Sequence, residues 1–141
     1  MDDLKTAKRC AKAMWKGDKA SRALGMKVEI REIGSATAHM KVRKDMVNGF
    51  NVCHGGMLFA LADTAFAFAC NAYNRKTVAG SGSIDFLRPA KLGDELRAVA
   101  REEHRGRRSG YYTVRIDNQD GDVVALFTGR SVSRDEPVLK S

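Results

Sequence analysis

The stretch NGFNVCHGGMLFALADTAF, Asn48 to Phe66, passes from a polar, glycine-bearing turn into an apolar run that holds a single carboxylate, Asp63. A buried unpaired charge costs several kcal/mol or changes its protonation state. Asp63 therefore either has a hidden partner, with the neighbouring Thr64 the nearest candidate, or is present for its chemistry. On the residues alone the two readings weigh equally, because hydrogen-bond and ion-pair networks also hold buried acids. The run predicts a helix from about Gly55 to Tyr73. Such a helix is apolar nearly all round, so it must be enclosed on most sides, with its remaining face left to meet another subunit.

Upstream of it, Leu4, Ala7, Ala11, Met14 and Trp15 recur at helical spacing, with Lys5, Lys8, Arg9, Lys12 and Lys16 on the other side. This predicts an amphipathic basic helix over about residues 3–16, ending near Gly17 and lying on the domain with Trp15 as its anchor. One tryptophan and no larger apolar face argue against a membrane-surface role. MKVEIRE and SATAHMKV alternate in polarity around Ile33-Gly34-Ser35 and read as a strand hairpin, followed by a loop from Arg43 to His54. Beyond the long helix the pattern is all strand: Thr77 to Leu87, Glu95 to Glu103, Ser109 to Asp117 and Asp122 to Val132, read as a meander. The polar tail after Arg134 is expected to fray. An antiparallel sheet with one face to bury needs a cover, and the apolar helix supplies it. The expected class is α+β: one domain over residues 1–141, with a core at about residues 24–132 formed by an antiparallel sheet wrapped around a long central helix, plus the extra N-terminal helix.

Composition narrows the function classes. The chain is 43% hydrophobic and 30% charged, which reads as globular rather than disordered. No apolar stretch follows Met1, and the run from Met57 to Ala72 is too short and too polar to span a bilayer. A cytoplasmic protein is therefore expected, with Cys10, Cys53 and Cys70 as reduced thiols. His39, His54 and His104 are scattered, so no metal site is expected. The net charge of +8 suits either a nucleic-acid partner or a pocket for a phosphorylated ligand. The strands lack the stacked-aromatic pattern of RNA binders and there is no helix-turn-helix, so no nucleic-acid partner is expected.

The combined pattern N-x5-HGG-x6-D…S-x-DFLRPA, from Asn48 through SIDFLRPA, resembles the hotdog-fold thioesterases, in particular the phenylacetate-degradation (PaaI-type) acyl-CoA thioesterases. The resemblance runs from about Leu24 to Val132 and implies a hotdog fold and hydrolysis of acyl-CoA, with aromatic acyl groups such as phenylacetyl expected and medium-chain fatty acyl as the alternative. Carried over, it implies that Asp63 attacks the thioester or activates water, that the amide of Gly55 polarises the carbonyl, that Asn48 places the water or the acid, and that Ser81 assists the carboxylate. His54 would contact the carbonyl or orient Asn48; capping the helix from local backbone is an equal alternative. Gly56, Arg88, Pro89, Arg105, Arg107 and Arg108 are the candidates for contact with substrate and CoA phosphates. Each assignment has a plainer counterpart: a glycine turn for Gly55 and Gly56, an Asn-Gly turn for Asn48, small-residue packing for Ser81 and a solvated hairpin tip for the arginines.

The chemistry is sound in itself. A helix start offers unpaired N–H groups and a positive dipole end, which suit a developing oxyanion. Asp63 lies eight residues after Gly55, about 12 Å along a helix axis, so one reacting carbon cannot touch both. This spacing points to a homodimer with composite sites, Gly55 and Asn48 from one chain and Asp63 from its neighbour, with a dimer of dimers expected from the family. No cofactor is expected, coenzyme A being part of the substrate. Phe50, Phe59, Phe66 and Phe68 are the candidates for the acyl pocket floor. A non-catalytic acyl-CoA sensor and a hotdog dehydratase using His54 with Asp63 are the competing readings within the same fold.

Overall fold

A computed structural model describes residues 3–140 of the chain. Helix α1 (Asp3–Gly17) is followed by a short helix α2 (Lys19–Ala23), strands β1 (Lys27–Glu29) and β2 (Ser35–Lys41), a single 3-10 turn (Lys44–Met46), helix α3 (Gly55–Cys70), and strands β3 (Thr77–Phe86), β4 (Glu95–Arg105), β5 (Ser109–Asp117) and β6 (Val123–Ser133). The strands form one antiparallel sheet in the order β1-β2-β4-β5-β6-β3. The sheet curls around α3, which is the hotdog arrangement expected from the resemblance.

The inner face of the sheet explains how closely the helix can lie. Ala36 and Ala38 on β2 and Ala98 and Ala100 on β4 are fully buried small residues beneath α3. Phe66 of α3 rests on Tyr112 and Phe127, with ring centroids 5.4 and 5.8 Å away. That contact requires glycine at 129, where an added Cβ would come within 2.8 Å of the Phe66 ring.

Several expectations need correcting. Only β4, β5 and β6 form a meander; β3 lies outside β6 at the sheet edge, because α3 returns the chain across the sheet before β3 begins. The central helix stops at Cys70, not Tyr73. There the Asn71 side chain turns aside to clamp the start of β3: its Nδ2 donates to the Thr77 carbonyl and its Oδ1 accepts from the Thr77 N–H, both at 2.9 Å. Helix α2 was not anticipated, although Asp18 caps it by accepting from the Ser21 N–H at 3.0 Å. The tail after Arg134 is tied down rather than frayed. Asp135 pairs with Arg75 and Arg108, and the Leu139 N–H donates to Asn74 Oδ1. All three cysteines are free and buried, and burial pushes the thiols of Cys53 and Cys70 up to about 11 and 12, so neither presents a thiolate. Among the described residues no helix is long and apolar enough to cross a membrane.

Candidate active site

The two motifs of the resemblance meet in space. The Cys53 N–H donates to the Ala90 carbonyl at 2.8 Å, and Val52 bridges to Lys91, so the segment carrying Arg88 and Pro89 lies against the loop that leads into α3. The Phe86 ring lies over Gly55, where an added Cβ would come within 2.9 Å of it. Glycine at 55 therefore makes room first for a side chain of its own protomer.

The loop fixes its polar groups one by one. Asn48 Oδ1 accepts from the N–H groups of Phe50 at 2.9 Å and Val52 at 3.3 Å, forming an Asx turn. The plain turn reading of Asn48 is thus correct for its oxygen. Its Nδ2 is left as a donor with no partner among the described residues. His54 is the N-cap of α3, and its Nδ1 accepts from the Gly56 N–H at 2.9 Å, so the neutral ring carries its hydrogen on Nε2. This is the local-backbone alternative for His54, and it takes the Gly56 amide out of reach of a ligand. The Gly55 N–H is left as the unclaimed amide at the helix start, where the helix dipole is positive.

Asp63 sits farther along α3 on a stripe, Gly56, Ala60, Asp63 and Ala67, that is exposed or half-buried, as are Gly55, Met57, Phe59 and Thr64, while the other helix residues are buried. It borders a hollow of about 350 Å³ whose walls include Met14, Phe66, Ala67, Lys76 and Ala79. Thr64 is not its partner. The Thr64 hydroxyl donates to the Ala60 carbonyl at 2.8 Å and lies 3.0 Å from Ser21 Oγ. Asp63 makes no hydrogen bond or ion pair among the described residues, and burial alone raises its carboxyl above the ordinary range. A half-buried acid with nothing to satisfy it is a poor structural element and an available base or nucleophile.

Other expected residues are placed elsewhere. Ser81 follows a bulge at Gly80, pairs with Arg130, and lines a shallow cleft with Ser83, Tyr111 and Thr128 on the outer face of the sheet. It does not reach the Asp63 hollow, where β3 contributes Thr77, Val78 and Ala79. The bulge shifts the alternation by one residue, which sequence reading could not foresee. The arginines do not form one cluster. Arg88, beside Asp122 at 3.5 Å, is at the α3 N-terminal end of β3, whereas the hairpin from Arg105 to Arg108 is at the opposite end. Arg105 stacks on the Tyr73 ring at 3.6 Å, and Arg108 lies 3.7 Å from Asp135. Of the phenylalanines, Phe66 alone borders the Asp63 hollow; Phe50 is 89% exposed, Phe59 stacks on Phe127, and Phe68 touches Trp15. Met14 and Lys76 were missed, since no motif marks them and their position depends on how α1 and the α3–β3 turn fold back.

The family model described as "Thioesterase superfamily" matches residues 50–125. The chain is 46% identical over 121 residues to the acyl-coenzyme A thioesterase PaaI of Escherichia coli K12, covering 86% of each protein. The solved structure of the E. coli PaaI protein from the phenylacetic acid degradation operon superposes with a TM-score of 0.94 at 42% identity, over 96% of this chain and 99% of that one. A hypothetical thioesterase protein of Streptococcus pneumoniae TIGR4 solved with coenzyme A superposes with a TM-score of 0.75 at 27% identity, over 79% of this chain and 90% of that one.

Proposed function

The chain belongs to the thioesterase superfamily and is an acyl-CoA thioesterase, and from that premise we propose that it hydrolyses aromatic acyl-CoA substrates, with Asp63 as the reacting carboxylate. The observation that carries the role of Asp63 is its lack of any partner at the edge of a hollow, with its carboxyl raised by burial. The aromatic acyl group is supported by the likeness to PaaI, a protein of phenylacetic acid degradation.

In this reading the thioester carbonyl oxygen accepts from the Gly55 N–H, which the loop leaves free, and developing negative charge is stabilised by the helix start. Asn48 Nδ2, aimed by the Asx turn that holds its oxygen, is the second donor. Asp63 then attacks the carbonyl carbon, or takes a proton from the water that does, and the CoA thiolate leaves. Within one chain the Asp63 hollow includes none of Gly55, Asn48 and His54. That separation, together with the small residues of the open α3 stripe and the free edge of β3, supports a homodimer in which each site draws on both protomers. Arg88 of one protomer and the arginine hairpin of its partner would then approach one CoA from two sides, though Arg105 and Arg108 must give up their present contacts to reach it. A dimer of dimers, a cytoplasmic location and the need for no added cofactor belong to the same reading. Ser81 carries no role in it.

The test is thiol release across a panel of acyl-CoA esters by the wild-type chain and by Asp63→Asn. Fastest turnover on phenylacetyl-type esters, abolished by the substitution, is the expected result; release unchanged by Asp63→Asn would overturn the role of Asp63. Isotopic oxygen from solvent appearing in the Asp63 carboxyl under single turnover would identify it as nucleophile, since water must then have cleaved a mixed anhydride at the aspartyl carbon.

A further inference from the structure

Apart from the Asp63 hollow, a groove of about 450 Å³ lies between α1 and the sheet edge at β1. Its floor is apolar: Trp15 and Phe68 meet edge to face at 6.3 Å, with Val28 and Ile30 beside them. Its rim carries Lys8, Lys12 and Lys27, and no acidic side chain lines it among the described residues. None of these lysines is in a salt bridge among the described residues. Lys8, Ala11, Lys12 and Trp15 stand at i, i+3, i+4 and i+7, so α1 presents its cations and its indole along a single stripe. Met14, one residue before Trp15, faces the Asp63 hollow instead, so the groove is a separate compartment.

An apolar trough edged by ammonium groups alone has a definite complement. We propose that this groove binds a monomeric amphipathic carboxylate, with its apolar body on Trp15 and Phe68 and its anion among the three lysines. The volume is within the range of small-molecule sites, roughly 300–1,000 Å³. The absence of acidic lining makes the local potential positive, which raises the local concentration of an organic anion and discriminates against cations and neutral amphiphiles of the same length. The proposal stands apart from the role of Asp63 and does not depend on it.

The protein carries its own reporter, because Trp15 is its single tryptophan. Titrating the intact wild-type chain with monomeric decanoate is expected to give a saturable change in indole emission. Combined Lys8→Glu, Lys12→Glu and Lys27→Glu should weaken it about tenfold or more, with thiol release and melting temperature kept. Asp63→Asn should bind decanoate as the wild type does, which separates this site from the active site. A decyl trimethylammonium salt should give no saturable change. Equal response to that cation, equal affinity in the triple variant, loss of the response in Asp63→Asn, or a response to anionic vesicles without one to monomeric decanoate would each overturn the proposal.

Discussion

Glu102 and Asp63 are two half-buried carboxylates in opposite circumstances. Glu102, near the end of β4, accepts from the hydroxyls of Tyr73 at 2.8 Å and Tyr112 at 2.9 Å, and Arg105 caps the Tyr73 ring. The two phenols answer to burial and to Glu102 together: Tyr73 is pushed up to about 12 and Tyr112 higher still, so both remain donors at any physiological pH. Asp63 has the same kind of position and no such company. The contrast separates a carboxylate that holds the fold together, pinning the exit of α3 to the sheet, from one that the fold leaves free to react. In sequence Asp63 is a lone charge in an apolar run and Glu102 is one of a string of charges from Arg101 to Arg105, and neither context says which acid is satisfied; their hydrogen bonds tell them apart.

The strongest way to break that contrast is to make the two acids amides. Asp63→Asn should lower thiol release by about a thousandfold or more, as expected for loss of a nucleophile or base that acts as part of a unit. It should also raise the melting temperature at neutral pH. The folded carboxyl titrates above its unfolded value, so its contribution favours the fold below the unfolded pKa and is lost as pH rises through the folded one. The gain from the amide, on the order of a few degrees, should therefore shrink on acidification; a melting difference that grows toward low pH would show Asp63 to be engaged after all. By the same shift, the acid limb of kcat/KM should fall above the ordinary carboxylate range of about 3.9.

Gly55→Pro comes next in size. Proline is tolerated at the first position of a helix and removes the N–H there, while its added carbon presses on the Phe86 ring, so release should drop about 10²- to 10³-fold or more; Gly55→Ala, which crowds Phe86 but keeps the N–H, should cost less. Mixing Gly55→Pro with Asp63→Ala should restore part of the activity in heterodimers; no rescue in a confirmed heterodimer would break the composite site. Glu102→Gln should do the converse of Asp63→Asn, costing about 1–3 kcal/mol in denaturant unfolding through weakened hydrogen bonds to two phenols while leaving kcat of the folded enzyme within a few-fold. His54→Ala should have the smallest effect, about 1 kcal/mol or less for a lost cap.

The site was partly legible. HGG before an apolar run announced a helix start, and Gly55 and His54 are where that pattern put them. Asp63 stood out because a charge inside an apolar helix demands a reason. The place of Ser81 away from the Asp63 hollow of its own chain was not legible, because one residue of bulge at Gly80 shifts the alternation of the strand, and a bulge leaves no mark in composition beyond a glycine. The arginines were legible as two groups, Arg88 and the hairpin from Arg105 to Arg108, but sequence lists charges without saying which end of the sheet each group occupies. Met14 could not be found at all, since its neighbour across the hollow, Asp63, is far away in the chain.

By itself the sequence determined the types of the long elements and the enclosed central helix, though not the five-residue α2, because these follow from the period of apolar residues and from turn chemistry, which are local. Tertiary structure alone decided the strand order with β3 outside β6, the free Gly55 amide against the occupied Gly56 amide, and the isolation of Asp63 against the saturation of Glu102. The strand order and the Glu102 bonds are contacts between residues distant in the chain, the His54–Gly56 bond is local but depends on the rotamer the folded loop imposes, and in each case whether a polar group is satisfied depends on what the folded chain brings within hydrogen-bond reach of it.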